Sequence, residues 1–111
     1  MKKAIVSLLA MSSTALASAG SAAASEQDFL DSIASLNHYA IECAGCADDA
    51  LDVGYKVCRA FDAGGETAAV QAVLNSYNRD DSPNRDYYAT LFAQYAAYEL
   101  CPQHNGEIEP I

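Results

Sequence analysis

Four cysteines are the residues of this 111-residue chain whose types and spacing could most readily do chemistry. Cys43 and Cys46 have the Cys-x-x-Cys spacing of thiol redox proteins, and four thiolates could also bind zinc. A redox motif of the thioredoxin type needs a strand–helix context, which the pattern here does not predict, and zinc needs a second closely spaced pair. Cys58 and Cys101 are too far apart in sequence to form that pair. Structural disulfides are therefore the favoured role.

The first 24 residues have the order of a secretory signal peptide. Two lysines precede an apolar stretch, and small residues continue up to Ala24, after which we expect cleavage; Ala19 is the alternative position. The apolar stretch falls short of the roughly 20 residues that span a bilayer, so no stable membrane insertion is expected after cleavage. The chain is thus predicted to be secreted, at the cell envelope or outside the cell, where disulfides persist.

Acidic residues outnumber basic ones, 15 to 6, and the formal net charge is −9 at pH 7. Removal of the N-terminal segment would also remove Lys2 and Lys3 and make the chain more negative. Such a domain repels nucleic acid and anionic lipid surfaces. A nucleic-acid partner is therefore not expected.

Apolar residues recur at three- and four-residue intervals in four stretches, which predicts an all-α fold. We expect a compact bundle of about four short helices, stapled by disulfides, over residues 28–39, 48–63, 67–77 and 83–101. Gly64 and Gly65 are predicted to end the second helix, and Ser82 to cap the fourth. The domain is expected to cover residues 25–104, before a flexible tail, 105–111.

Four cysteines allow three pairings, and the predicted helices favour one of them. Cys58 falls on the inward face of the second helix and Cys101 at the end of the fourth, so these two can meet. Cys43 and Cys46 would then close a small ring in their loop. Gly54, one turn before Cys58, is expected to let the fourth helix come close.

Tyrosines provide the candidate binding surface, since the chain has seven of them and no tryptophan. Tyr88, Tyr95 and Tyr98 share one face of the fourth predicted helix and are expected to point inward, with Tyr77 near the end of the third. Their phenol groups could line a groove for a protein or a small apolar ligand. The simpler interpretation, which we favour, is that they fill the margin of a small core, with their hydroxyls in water.

No spacing of histidine, serine and acidic residues matches a catalytic motif, so we expect neither enzyme activity nor a cofactor or metal. The oxygen-bearing residues from Asn78 to Asp86 fail the calcium-loop template because Pro83 stands where that loop requires glycine. His38 is predicted to lie at the carboxyl end of the first helix, and His104 in the loose stretch that begins at Gln103.

Three short segments resemble a known family in their order and spacing. They are Asp28-Phe29-Leu30, Gly54-Tyr55-Lys56-Val57-Cys58 ahead of Gly64, and Cys101-Pro102-Gln103-His104. From about residue 28 to 104 the chain resembles the exported actinobacterial, chiefly mycobacterial, family known as domain of unknown function 732.

The resemblance implies a signal-bearing, all-helical domain in which Cys58 and Cys101 are bonded. The chain departs from the family pattern by adding Cys43 and Cys46, and by placing Leu100 where an aromatic residue often precedes the last cysteine. The family has no established activity. The sequence therefore predicts a secreted, non-enzymatic binding or interaction module at the cell envelope, and the alternative is a thiol–disulfide redox protein that uses Cys43 and Cys46.

Overall fold

Three α-helices carry the fold in the computed structural model, which describes residues 25–108. Helix α1 spans residues 25–35, α2 spans Cys46–Ser76, and α3 spans Arg85–Glu99; a short 3₁₀ turn, Pro102–His104, follows. The described residues contain no strand, so the all-α class is confirmed. The expected number of helices was wrong, because three are present instead of four.

The predicted second and third helices are the two halves of α2. These halves are continuous across a sharp break at two glycines. Gly64 and Gly65 have non-helical backbone angles, and Gly65 has a φ of 71°, which favours glycine. A straight helix would separate Asp49 from Tyr77 by about 42 Å, yet the two residues line the same cleft. The glycines therefore turn α2 back on itself instead of ending it.

The core lies where α1, both halves of α2, and α3 meet. Phe29 of α1 and Phe92 of α3 are completely buried and contact each other edge to face, with ring centroids 5.3 Å apart. Val57 and Val73, from the two halves of α2, are buried in the same cluster. The buried side chains of the described residues are hydrophobic, so apolar burial is the main stabilising contribution in this core.

Helix α3 turns alanines inward, where we predicted tyrosines. Its buried residues are Ala89, Phe92, Ala93, Ala96 and Ala97. Tyr98 is 60% exposed, and Tyr88 and Tyr95 are only partly buried. Small side chains let α3 lie close to α2, and this close approach leaves space for the large rings only at the margin.

The start of α3 also differs from the prediction. Ser82 does not cap the helix, which begins at Arg85 after Asn84 and has no side-chain cap. The backbone N–H of Ser82 instead donates a hydrogen bond to Oδ1 of Asp80, at 3.0 Å. This local turn competes with helix initiation, as Asp side chains commonly do.

Two disulfides fasten the helices. Cys58–Cys101 joins the first half of α2 to the residue beyond α3, with Cα atoms 5.9 Å apart, and Cys43–Cys46 closes the loop before α2, with Cα atoms 5.2 Å apart. Both pairs are those that the sequence favoured. At Gly54 an added Cβ would lie 2.6 Å from Cδ1 of Leu100, so the end of α3 does come close there.

Candidate functional site

A cleft of about 450 Å³ opens between the α1–α2 loop and the connector from α2 to α3. We call it the His38 cleft. Its walls are formed by His38, Tyr39, Ala40, Cys46, Asp49, Tyr77, Arg79, Asp80 and Asp81. Because α2 folds back at its glycines, residues from both of its ends lie in one site.

Aromatic stacking positions the floor of the His38 cleft. The imidazole of His38 stacks on the ring of Tyr88, with centroids 4.1 Å apart and planes 12° from parallel. The ring centroid of Tyr39 lies 4.7 Å from that of Tyr77 and 5.2 Å from that of Phe92, and the rings of Tyr39 and Phe92 meet edge to face. Tyr39 is only 8% exposed, so the core holds this ring in place.

A hydrogen-bonded pair holds the two walls of the cleft together. Nε2 of His38 lies 2.7 Å from Oδ2 of Asp80, and the backbone N–H of Ser82 binds the other carboxylate oxygen. These hydrogen bonds, that of His38 foremost, lower the pKa of Asp80 to about 2. The pair ties the α1–α2 loop to the connector and thereby limits how far the cleft can open.

The two cleft tyrosines stay protonated at neutral pH. Burial first, and then the charge of Asp80, raises the pKa of Tyr39 well above its usual value. Burial and the charge of Asp49 raise the pKa of Tyr77 to about 12. Within residues 25–108 neither hydroxyl has a hydrogen-bond partner, so both are available to a ligand.

A separate groove of about 350 Å³ lies between α3 and the C-terminal segment; we call it the Ile108 groove. It is lined by Gln94, Tyr95, Ala97, Tyr98, Asn105, Gly106 and Ile108. Ile108 is 4% exposed and belongs to the core cluster. Within the described part of the predicted tail, Ile108 therefore packs in the core, and residues 105–107 are exposed.

The structure does not bring the four candidate tyrosines together. Tyr77 lines the His38 cleft, and Tyr88 supports that cleft from behind His38. Tyr95 and Tyr98 line the Ile108 groove. The predicted single surface is therefore divided between two sites.

The roles of both histidines differ from those that the sequence predicted. His104 stacks on Phe61, with centroids 5.0 Å apart, and its two ring nitrogens lie 2.7 Å from Asp62 and 2.8 Å from Glu107. Hydrogen bonds to Glu107 and then Asp62 raise the pKa of His104.

The partners of both histidines lie far away in sequence. His38 and Asp80 are 42 residues apart, as are His104 and Asp62, so local spacing carries no signal for either contact. One signal was available for His104. A bond between Cys58 and Cys101 places the residues after Cys101 beside the next turn of α2, which contains Asp62.

The described residues show no arrangement suited to a metal ion and no membrane-spanning helix. No group of three or more histidine, cysteine or acidic side chains in this part of the chain is placed so that it could hold a metal ion. None of its helices combines the length and apolar character needed to cross a membrane.

A family model described as "Protein of unknown function (DUF732)" matches residues 25–103. No curated protein and no solved structure matches the chain.

Proposed function

Since the chain belongs to the DUF732 family, whose description assigns no activity, we propose from the site geometry that it is a non-enzymatic binding domain. Its ligand site is the His38 cleft. The domain works in an extracytoplasmic compartment, secreted or at the cell envelope. Both disulfides support this location, because such bonds persist where the surroundings are oxidising.

The observation that carries the proposal is the state of Tyr39 in the cleft. More than nine-tenths of this residue is buried, yet its hydroxyl lacks a hydrogen-bond partner among the described residues. Within residues 25–108 Ser82 Oγ is the one fully buried side-chain oxygen or nitrogen without a partner, so the Tyr39 hydroxyl is open to the cleft, where a ligand can bond to it. The cleft volume of about 450 Å³ lies within the range of small-molecule sites.

The electrostatics favour binding over acid–base chemistry. A raised pKa keeps the phenols of Tyr39 and Tyr77 protonated, so they can exchange hydrogen bonds with a ligand but are poor general bases. The imidazole of His38 is engaged by Asp80 and stacked on Tyr88. The sulfur of Cys46 is bonded to Cys43.

A fragment titration tests the proposal. The oxidised, ¹⁵N-labelled protein is titrated with a panel of small, polar aromatic fragments while amide chemical shifts are followed. We expect shifts to cluster at residues 38–40, 46–49 and 77–81, and Tyr77→Phe, which removes only the hydroxyl, to weaken binding about tenfold. Tyr98→Phe in the Ile108 groove is the matched control and should change nothing. Shifts confined to the Ile108 groove, or none, would refute the assignment of the site.

A second candidate function is thiol–disulfide exchange by Cys43 and Cys46. Cys43 is exposed and Cys46 is the first residue of α2, where the amide end of the helix stabilises a thiolate. Asp48 and Asp49 in the same turn oppose that effect. Measurement of the reduction potential separates the two roles. A value below about −300 mV means a structural bond, and a value near those of envelope oxidants means redox activity.

A further inference from the structure

We infer, on the basis of the proposed binding role, that the His38 cleft takes a compact organic cation. The cationic group would be an ammonium such as that of choline or of a lysine side chain. It would lie against the rings of Tyr39 and Tyr77, beside the carboxylate of Asp49.

The charge of the cleft is the first argument. Its walls contain three aspartates and one fixed cation, Arg79. Within residues 25–108 Arg79 forms no ion pair with any of these aspartates, and it is exposed. The site therefore has a net negative charge, which attracts cations and repels carboxylates and phosphates.

A negative charge that is free to attract a ligand lies on Asp49. Asp80 is already paired with His38, whereas Asp49 has no ion-pair partner among the described residues. The carboxylate of Asp49 is close enough to the phenol of Tyr77 to raise its pKa. Asp49, Tyr39 and Tyr77 line the same cleft, so an uncompensated negative charge lies in the wall that contains the two rings.

The aromatic surfaces are the third argument. The faces of tyrosine rings attract ammonium groups through their quadrupoles, and this attraction increases when the site is shielded from water. Tyr39 and Tyr77 have their ring centroids 4.7 Å apart and both line the cleft. The hydroxyl of Tyr39, which has no hydrogen-bond partner among the described residues, adds an acceptor for an N–H or O–H group of the same ligand.

Charge can be separated from shape with two probes of the same size. Choline is titrated into the oxidised, ¹⁵N-labelled protein, and 3,3-dimethyl-1-butanol, in which carbon replaces the charged nitrogen, is titrated in parallel. We expect choline to shift amides of residues 38–40 and 77–81 and to bind at least tenfold more tightly than the neutral alcohol. Binding should weaken as NaCl is increased.

Two variants locate the effect. Asp49→Asn should weaken choline binding about fivefold to tenfold. Asp52→Asn removes the same charge from the next turn of α2, outside the cleft, and should change the affinity less than twofold. Circular dichroism melting curves show whether each variant is folded. For a variant that does not fold, the wild-type comparison of choline with its neutral analogue still decides.

Each other result contradicts the inference in a recognisable way. Equal binding of both probes, or preferential binding of acetate, would overturn the cationic ligand but leave the cleft as a binding site. Binding of the fragments, but not of choline, in the cleft would likewise overturn the cationic ligand and leave the cleft as a binding site. If neither fragments nor choline bind there, the proposed function fails together with this inference.

Discussion

The open end of the bundle, with the His38 cleft, and the closed end, around His104, are fastened by the same two devices. Each end has a disulfide, and each has a histidine that stacks on an aromatic ring and bonds an aspartate 42 residues away. The ends differ in the charge of their openings. At the closed end Ile108 is buried and borders the Ile108 groove, whose lining has no charged side chain, whereas the loops at the open end contribute Arg79, Asp80 and Asp81 to the His38 cleft. The fastenings therefore hold each end together, and the side chains around them decide whether the opening is charged.

The disulfides should show the largest difference between the ends. Cys58→Ala with Cys101→Ala opens a loop of 43 residues and should lower the free energy of unfolding by about 4 kcal/mol. Cys43→Ala with Cys46→Ala opens a much smaller ring and should cost about 2 kcal/mol. Urea denaturation of the two double variants measures both losses. Equal losses would contradict the distinction between a buried tie and a surface ring.

Substitutions at two glycines separate the cost of close packing, at the closed end, from the cost of an unusual backbone conformation, at the open end. Gly54→Ala places a Cβ 2.6 Å from Leu100 and should cost about 2 kcal/mol through overpacking. Gly45→Ala meets no atom within 4 Å but must keep a φ of 77°, which should cost about 1 kcal/mol.

A double-mutant cycle identifies the cause at Gly54. Leu100→Ala removes the atom that an added Cβ would contact, so Gly54→Ala should be less costly in that background. Additive losses, measured as free energies of unfolding, would show that Leu100 does not cause the cost.

Substitutions of the two aspartates compare how much each histidine–aspartate contact stabilises the fold. The side chain of Asp80 is 21% exposed and that of Asp62 is 67% exposed, so water competes more strongly for the second. Asp80→Asn should lower the free energy of unfolding at pH 7 by about 1 kcal/mol, and Asp62→Asn should lower it by less. The reverse order in urea denaturation would show that the fastening of the closed end is the stronger one.

The smallest effect is the pH dependence at His104. Its pKa is raised in the folded protein by Glu107 and Asp62, so its stabilisation is fully present below the unfolded value of about 6.5. That stabilisation is lost as the pH rises through the higher folded value. His104→Gln should therefore lower the melting temperature more at pH 5.5 than at pH 8.5. Glu107→Gln should move the pKa of His104, followed by NMR, back towards its ordinary value.

Local features of the sequence predicted much of the fold. The pairing of Cys58 with Cys101 and the turn at Gly64–Gly65 were readable because apolar periodicity and glycine pairs act over a few residues. The same logic gave one helix too many, since two glycines can bend a helix as well as end it. The same logic overestimated how deeply the tyrosines of α3 are buried, because it placed large side chains inward where close helix packing favours alanine.

The candidate site was predicted only in part. Tyr77 was recognised from its position at the end of a helix, but Tyr39 was not, since a single tyrosine in a loop has no periodic neighbours. The contact of His38 with Asp80 depends on how α2 folds back, which the sequence pattern did not show. The sequence did not show which residues far apart in the chain come together in the fold.

The bend at Gly64–Gly65 has a further consequence for the order in which the molecule assembles. Two helical segments joined by two residues meet at a low entropic cost, because the closed loop is short. Such local contacts form within microseconds, whereas disulfide oxidation takes seconds to hours. We therefore expect the helical hairpin of α2 to bring Asp49 and Tyr77 together early in folding, before Cys58 and Cys101 are joined.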